Sequence, residues 1–378
     1  MRVLVVSGIW PPDVGGPASH APDVAGYLCQ RGHGVEVVTT ADASPAPRDY
    51  PVRWVSRTMP KGILHLRCAF CIGRRAAAAD VVYTTGMFGR SAAGALAARR
   101  PYVVKLTADP AFERSRRRGL VAGDVEDFQA GGTGAQAALL RLARDAELRR
   151  AAHVFCPSAY LRELAIGWGV PAGRVSVLPN PTPPSRELPD RAELKRRLDV
   201  NGATLAFAGR LTAQKSLHLA LEALAQTEGV VLLIAGEGPD REPLERRSAE
   251  LGLGERVRFL GPQPRERVLE LFGAADATIL SSSWENFPHT VVEALSVGTP
   301  VLATKAGGVG EIVRHEHNGL LVEAGDAAGL GAAIRRYFED DGLRRRLQAD
   351  AAPSVAELAP ERVFARLEEA LVRVSRRS

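Results

Sequence analysis

The chain has 378 residues, of which 46% are hydrophobic and 24% are charged. These proportions are ordinary for globular proteins and exclude a disordered or fibrous chain, and the length favours two domains. The net charge of +6 would suit nucleic acid, anionic lipid or a phosphorylated substrate. Because no basic stretch is interleaved with aromatic residues and no nucleic-acid-binding motif occurs, we expect no nucleic-acid partner.

The sequence also bears on the cellular compartment. No apolar run reaches the roughly 20 residues of a transmembrane helix, and residues 1–13 read as a strand and a turn rather than a secretory signal. The four cysteines are too few and too irregularly spaced for a disulfide framework, and Cys68 and Cys71 lack the second pair that a zinc site requires. We therefore predict a cytoplasmic protein in which Cys68 and Cys71 have a packing role.

Short apolar runs alternate with longer helical patterns along the whole chain, as in parallel sheets built from β-α-β units. The predicted strands are 3–7, 35–39, 81–84, 102–107, 153–156 and 175–178 in the first half, and 204–208, 230–235, 257–260, 278–281, 300–304 and 319–322 in the second. This pattern predicts an α/β fold with two doubly wound, Rossmann-like domains.

The proline-rich residues 179–191 can continue neither a sheet nor a helix, and they mark the domain boundary. We predict an N-terminal domain over residues 1–183 and a C-terminal domain over residues 184–358. An amphipathic helix should follow over residues 359–378, and packing back on the N-terminal domain is one placement that the pattern leaves open.

Residues 109–134 combine a charged run with several glycines, and we predict a loop with a short helix. Long loops in compact domains are often functional, so a lid over an acceptor and a mobile surface insertion are both open interpretations.

Gly15 and Gly16 lie between the first predicted strand and a helix predicted at about 18–31. Glycines at such a position let the backbone approach an anion at the helix N-terminus, so they would suit a diphosphate. The spacing is not G-x-G-x-x-G, which argues against ordinary dinucleotide binding. A purely structural turn is the alternative.

Gly209, Arg210 and Lys215 follow the first predicted strand of the second half. Ligands bind at the carboxyl edge of open α/β sheets, and two cations there can neutralise the charge that develops on a departing nucleoside diphosphate. Two solvated surface cations are the alternative interpretation.

Glu285 and Glu293 follow the fourth predicted strand of the second half, the first in a loop and the second on a helix that ends near Gly298. A loop carboxylate can accept sugar hydroxyls, a helical one can accept ribose hydroxyls, and the N–H groups around Asn286 and Phe287 can hold phosphate. The alternative is that both glutamates are solvated helix caps.

The order and spacing of these motifs resemble the C-terminal domain of the family 4 retaining glycosyltransferases, and Gly15-Gly16 extends the likeness to the first half. The motifs that carry the resemblance are Gly209-Arg210 with Lys215, Gly236-Glu237-Gly238-Pro239, Glu285 with Glu293, and Gly307-Gly308 with Glu311-Ile312-Val313. The likeness implies the B-type fold (GT-B), with two Rossmann-like domains facing each other across a cleft.

The resemblance also implies a role for each matching residue. Arg210 and Lys215 would grip the diphosphate, Glu285 the donor sugar and Glu293 the ribose. The remaining donor-binding residues would be Gly15, Gly16, Gly209, Gly238, Asn286 and Phe287. Enzymes of this type need no metal or other cofactor, since the cations serve instead.

The implied reaction moves a hexose or amino-hexose from a nucleoside-diphosphate sugar, with a weak preference for UDP, to a hydroxyl of a polysaccharide, glycolipid or small secondary metabolite. Retention without an evident nucleophile suggests front-face substitution, with the leaving phosphate as the base. His20 and Asp109 are candidates for orienting the acceptor hydroxyl. Two positions depart from the family pattern, Ala108 where many relatives have histidine and Gly310 where they have proline.

Several other functions stay open at this stage. A nucleotide-sugar epimerase or phosphorylase of the same architecture would share these motifs, as would a non-catalytic protein that binds sugar nucleotides. A nicotinamide-dependent dehydrogenase is disfavoured by the missing glycine fingerprint. The basic helical pattern over residues 139–150 suits either a core helix, which we prefer, or peripheral contact with anionic lipid.

Overall fold

The computed structural model describes residues 1–13, 16–121, 125–131 and 134–376. Contacts divide the chain into two compact units, Met1–Pro179 with Glu361–Ser378 and Asn180–Pro360. The predicted boundary after residue 183 falls just inside the second unit. The chain therefore enters the second unit once and returns to the first for its last helix.

The first unit is built on a seven-stranded sheet of order β3-β2-β1-β4-β5-β6-β7, in which every pair of neighbours is parallel. Strands β1 to β7 are Arg2–Ser7, Gly34–Ala41, Val52–Ser56, Val81–Thr84, Tyr102–Lys105, His153–Cys156 and Val175–Val177. Helices α1 to α7 are Gly16–Gln30, Lys61–Ala76, Phe88–Ala97, Pro110–Arg117, Val125–Ala130, Gly134–Arg149 and Ala159–Gly167.

The second unit is built on a six-stranded parallel sheet of order β10-β9-β8-β11-β12-β13. Strands β8 to β13 are Ala203–Ala208, Val230–Ala235, Val257–Gly261, Ala277–Leu280, Val301–Thr304 and Gly319–Val322. Helices α8 to α14 are Arg191–Arg197, Leu217–Ala225, Arg241–Glu250, Arg265–Ala274, His289–Ser296, Ala327–Glu339 and Asp341–Ala351. The last helix, α15, is Pro360–Arg376 and belongs to the first unit. The predicted pair of doubly wound α/β domains is confirmed.

Helices cover both faces of the first sheet. Side chains of α2, α3 and α6, such as Ile72, Ala92 and Leu148, pack in one apolar cluster on one face. Side chains of α1 and α15, such as Leu28 and Leu367, pack in a separate cluster. This cluster includes the β1 side chains that point to the other face of the sheet. Helices α2, α3 and α6 therefore form one layer, and α15 helps to close the other.

Within residues 109–134 the structure corrects the prediction of a loop with one short helix. Asp109 caps α4 by accepting the Ala111 N–H at 2.8 Å, and α5 follows before α6 begins. The rings of Phe112 and Phe128 pack with centroids 5.5 Å apart, which ties α4 to α5. Residues 122–124 and 132–133 of this stretch lie outside the described residues.

No helix in the described ranges is long and apolar enough to cross a membrane.

Candidate active site

The strand order of the second sheet reverses at β8. Strands β9 and β10 lie on one side of β8, and β11 lies on its other side. Loops that leave neighbouring strands at such a point diverge and open a crevice at the carboxyl edge, where open α/β sheets bind ligands. The loop after β8 carries Gly209, Arg210 and Lys215, and the loop after β11 carries Glu285. The topology thus brings the two predicted motifs to the same edge.

Lys215 and Glu285 form a direct ion pair between these two loops. Glu285 is only 6% exposed, and the Ser282 hydroxyl donates a second hydrogen bond to its carboxylate at 2.7 Å. The Ser281 hydroxyl donates to the Lys215 carbonyl at 2.9 Å, which fixes the backbone of the short helix Ala213–Lys215. Ser282 thus holds the carboxylate of Glu285, and Ser281 holds the backbone of Lys215, so both partners of the ion pair are fixed in position.

Close backbone approaches explain several glycines around the pair. Gly307 has a φ of +52°, and a Cβ there would overlap the Glu285 carbonyl oxygen. That oxygen accepts the Gly308 N–H at 2.9 Å. The turn after β12 therefore packs on the Glu285 backbone, and only glycine fits at 307.

The turns after β8 and β9 approach each other in the same way. A Cβ on Gly236 would overlap the Gly209 carbonyl oxygen, and one on Gly238 would overlap the carbonyl of Leu211. A Cβ on Gly209 would lie only 3.2 Å from Phe207 Cζ. Gly209 and Gly238 thus have a packing reason to be glycine beside their predicted role in donor binding.

Arg210 differs from Lys215 in its surroundings. Its side chain is exposed, and within the part of the chain that the structure describes it makes no ion pair. A guanidinium that is already charged and unpaired at the carboxyl edge of the sheet can accept an anion without first breaking a protein contact.

Glu293 lies on α12 and is buried, with its carboxylate 2.9 Å from Arg265 Nε at the start of α11. Burial raises the pKa of Glu293, while the neighbouring Arg265 opposes the rise. Since Glu285 is buried as well, the alternative of two solvated helix caps is wrong.

Asn286 and Phe287 lie between Glu285 and α12, and both side chains are buried. The Phe287 carbonyl accepts a hydrogen bond from Asn180 Nδ2 at 3.0 Å. The loop that follows Glu285 is therefore anchored at both ends, by Ser282 before it and by Asn180 behind it.

The predicted residues of the first unit lie in different settings. Gly15 is outside the described residues, and Gly16 is the first residue of α1. His20 is buried with Nε2 2.8 Å from the Tyr83 hydroxyl. Asp109 is fully buried in an ion pair with Arg144 at 2.6 Å.

The candidate acceptor role of Asp109 needs a correction on this ground. Besides capping α4, its carboxylate accepts hydrogen bonds from Gln129 at 2.8 Å and from Arg144. A carboxylate with these partners and no exposed surface stabilises the helices around it and presents no oxygen to an acceptor.

Sequence reasoning missed the partners that hold the predicted residues in place. Ser282 lies only three residues before Glu285, and this short separation was the one signal in the sequence that pointed to it. Arg265 carried no signal, since its proximity to Glu293 arises from the packing of α11 beside α12. Over the described residues, no three His, Cys, Asp or Glu side chains are grouped as a metal site would require.

Comparison with known protein families gives one match for each unit. The family description of glycosyl transferases group 1 matches residues 190–352, and that of the glycosyl transferase 4-like domain matches residues 15–181. The chain belongs to the family 4-like glycosyltransferases with the GT-B fold. Its candidate site lies in the half that matches the group 1 domain.

Individual relatives agree with this family. A lipopolysaccharide core biosynthesis glycosyltransferase, LpsD of Rhizobium meliloti, is 34% identical over 192 residues, which cover 51% of this chain and 54% of that protein. The chain thus spans about half the length of this relative. A D-inositol 3-phosphate glycosyltransferase of Acidothermus cellulolyticus is 28% identical over 89% of this chain and 80% of its own length.

Among solved structures, Anabaena Alr3699/HepE in complex with UDP and glucose has a TM-score of 0.79 and 24% identity, over 98% of this chain and 99% of that one. At 24% identity, this similarity shows that the two proteins share a fold.

Proposed function

We propose that this glycosyltransferase moves a hexose or amino-hexose from a nucleoside-diphosphate sugar to an acceptor hydroxyl, with retention of the anomeric configuration. The observation that carries the proposal is the Lys215–Glu285 pair, which sets a cation and a buried carboxylate where the strand order of the second sheet reverses. The cation can bind a diphosphate, and the carboxylate can accept hydrogen bonds from the hydroxyls of a donor sugar.

The comparisons favour UDP as the nucleotide. Anabaena Alr3699/HepE was solved with UDP-glucose, and this chain has the same fold. For the acceptor, the names of the relatives point to lipopolysaccharide core and to a phosphorylated cyclitol. We therefore keep a polysaccharide, a glycolipid and a small hydroxylated metabolite as acceptor classes.

In the proposed reaction, Arg210 and Lys215 neutralise the diphosphate as the bond from its oxygen to the anomeric carbon breaks. The acceptor oxygen attacks from the same face, and its proton passes to the leaving phosphate oxygen. No side chain then has to act as a strong acid or base. Because two cations stabilise the leaving group, the proposal requires no metal.

The remaining residues position the donor. Glu285 would accept hydroxyls of the sugar, Glu293 would accept hydroxyls of the ribose, and main-chain N–H groups near Asn286 and Phe287 would bind phosphate oxygens. The burial of both glutamates supports this assignment, because hydrogen bonds formed away from water discriminate strongly between ligands that can and cannot make them.

A thermal-shift screen against UDP, GDP, ADP, dTDP and NAD tests the donor site. A nucleotide at about 100 times its Kd should stabilise the protein by roughly 2.7 kcal/mol, and the shift should disappear in Lys215→Ala. Lys195→Ala is a matched control, because Lys195 pairs with Asp276 at 2.8 Å in the same unit with nearly the same exposure. Stabilisation by NAD alone would favour a dehydrogenase, and an unchanged shift in Lys215→Ala would remove the diphosphate assignment.

Product analysis separates transfer from the other nucleotide-sugar functions. With a donor identified by the screen, an NMR assay should show the sugar on an acceptor hydroxyl with the anomeric configuration of the donor, and turnover should survive dialysis against EDTA. An epimerase would instead return an altered nucleotide sugar, and a protein that only binds the nucleotide would give no product.

A further inference from the structure

A basic cavity of about 560 Å³ lies in the first unit, among helices α2, α3, α4 and α6. A volume of this size is ordinary for the binding site of a small molecule. Glu147 is the single acid in its lining, and the cations are Lys61, Arg90, Arg114, Arg117 and Arg118. This excess of positive charge indicates an anionic ligand.

Arg90 is half-buried in the wall of the cavity, and its partners among the described residues are two sulfur atoms. Its Nη1 lies 3.1 Å from Met87 Sδ and 3.6 Å from Cys68 Sγ. Sulfur is a weak hydrogen-bond acceptor, so the protein compensates this charge poorly. Phosphate oxygens bind a guanidinium strongly and often in pairs. A phosphate in the cavity would therefore complete the contacts of Arg90.

The other cations are also available to an anion. Lys61, Arg117 and Arg118 are exposed and, over the part of the chain that the structure describes, take part in no ion pair. Arg114 faces Glu147, but its Nη1 is 3.9 Å from Oε1, which is beyond hydrogen-bond distance. An anion can therefore bind in the cavity without first breaking a strong contact within the protein.

Glu147 offers a hydrogen-bonding group to the uncharged part of such a ligand. Its Oε2 atom is buried and has no hydrogen-bond partner among the described residues. Burial raises the pKa of this carboxyl group, while Arg114 opposes the rise. The terminal torsion of glutamate is soft, so a small rotation would present Oε2 to a hydroxyl in the cavity. The cavity thus suits a molecule that carries both an anionic group and hydroxyls.

The cavity is placed where the first sheet is expected to bind ligands. Lys61 is the first residue of α2, and Met87 lies between β4 and α3, so the chain reaches the cavity as it leaves β3 and β4. Strand β4 lies beside β1 on the side opposite to β2, so the strand order reverses there. Open α/β sheets bind ligands at the carboxyl edge beside such a reversal.

We propose that this cavity binds the acceptor of the transfer reaction, and that the acceptor is a sugar or polyol that carries a phosphomonoester. The inference rests on the proposed function, since an acceptor exists only for a transferase. A neutral acceptor would leave the five cations without a ligand. Phosphate is favoured over carboxylate because a phosphomonoester carries more than one negative charge and three acceptor oxygens at neutral pH.

Isothermal titration calorimetry of the full chain at fixed ionic strength, without nucleotide, tests the proposal with glucose 6-phosphate, glucose and glucuronate as probes. Glucose 6-phosphate should bind at least about tenfold more tightly than the other two, because hydrogen bonds to charged groups are strong. Arg90→Gln should weaken its binding about tenfold. Arg117→Gln, which changes an exposed cation, should weaken it about threefold.

The control is Arg116→Gln. Arg116 is an exposed cation of the same helix that does not line the cavity, so this variant should bind glucose 6-phosphate like the wild type. Circular dichroism of each variant ensures that lost binding is not lost folding. An equal loss in the control, equal binding of glucose and glucose 6-phosphate, or no binding of either would overturn the proposal.

Two further arms identify the anion and the site. Tighter binding of glucuronate would assign a carboxylate instead, and tighter binding of the methyl diester of glucose 6-phosphate would assign a lipid headgroup, so either result would overturn the phosphomonoester. Saturating UDP should not displace glucose 6-phosphate, and Lys215→Ala should lose the UDP shift while it keeps this affinity. Failure of the acceptor cavity thus stays distinct from failure of the donor site.

Discussion

The ammonium group of Lys215 bonds directly to the carboxylate of Glu285, and this contact joins the loops after β8 and β11. The two residues come from motifs 70 positions apart in the chain. Their predicted roles, diphosphate binding and sugar binding, are therefore coupled, since a change in either residue alters the charge that the other one feels.

We expect Lys215→Met to reduce stability as well as turnover. The substitution leaves the buried Glu285 carboxylate with the Ser282 hydroxyl as its remaining described side-chain donor, and an uncompensated buried polar group costs about 1–3 kcal/mol. The double variant Lys215→Met with Glu285→Gln should recover part of that loss without recovering activity. Urea unfolding of the four proteins of the cycle measures the coupling.

The comparison variant for this cycle is Lys195→Met. Lys195 and Asp276 hold the opposite end of the sheet, where Asp276 also accepts the Thr204 N–H at 2.9 Å. A similar fall in stability with full nucleotide binding is expected. If Lys195→Met abolished binding too, the loss in Lys215→Met would reflect general destabilisation.

Two glycines of one turn should respond in opposite ways to alanine. Gly307→Ala forces a left-handed residue, at about 1–2 kcal/mol, and pushes on the Glu285 carbonyl, so both Tm and kcat should fall. Gly310 is exposed with open space around it, and alanine there should be neutral or stabilising by up to about 1 kcal/mol. Calorimetry and turnover measured on both variants decide the point. Equal effects would show that the turn tolerates Gly307→Ala by moving.

Asp109→Asn should destabilise the first unit without changing acceptor recognition. Breaking a buried ion pair typically costs about 3–5 kcal/mol, whereas Glu163→Gln on the surface of α7 should cost less than about 1 kcal/mol. Acceptor KM, measured below the unfolding temperature, should match the wild type. A tenfold rise in KM would return Asp109 to the acceptor site.

The buried Lys105 should make stability rise with pH above neutrality. Burial lowers its pKa from 10.5 to about 7, with Cys156 opposing and Arg366 assisting the change. Between these two values the unfolded chain holds a proton that the folded chain has lost, so the free energy of unfolding increases by up to about 1.36 kcal/mol per pH unit.

Urea unfolding between pH 7 and 8.5 measures this slope, in a range below the ordinary pKa of 9.0 for the nearby Cys156. Lys105→Met should be flatter than the wild type over the range and more stable at pH 7. Parallel curves for the two proteins would mean that Lys105 stays charged in the fold.

Most strands could be predicted because each is a short buried apolar run, and Val81–Thr84, Val230–Ala235 and Gly319–Val322 match the predicted limits. The missed strand, Val52–Ser56, lies at the sheet edge with Arg53 and Trp54 exposed, so burial leaves no clear pattern in its sequence. Only one short helix was predicted where α4 and α5 lie, because their glycine-rich surroundings resemble a loop, while the contacts that order both helices come from α6 and from the Phe112–Phe128 pair.

The residues of the candidate site that belong to sequence motifs could be predicted. The contacts that arise from the packing of distant segments could not. Lys215 and Glu285 could be placed at one sheet edge because each follows a predicted strand of a sheet whose strands are expected to be parallel. That Glu293 meets Arg265 depends on how two helices pack, and that Gly238 faces the Leu211 carbonyl depends on the backbone path, so neither follows from local sequence.

The return of α15 to the first unit sets an order for folding during synthesis. Glu368 supplies the carboxylate that bonds to His33 at 2.8 Å and to the Tyr27 hydroxyl at 3.2 Å, and Phe364 packs on the rings of His20 and Tyr27. These partners leave the ribosome after every residue of the second unit. The second unit can therefore complete its core first, while the first unit, although begun earlier, keeps the α1 side of its sheet unsealed until the last turns of the chain emerge.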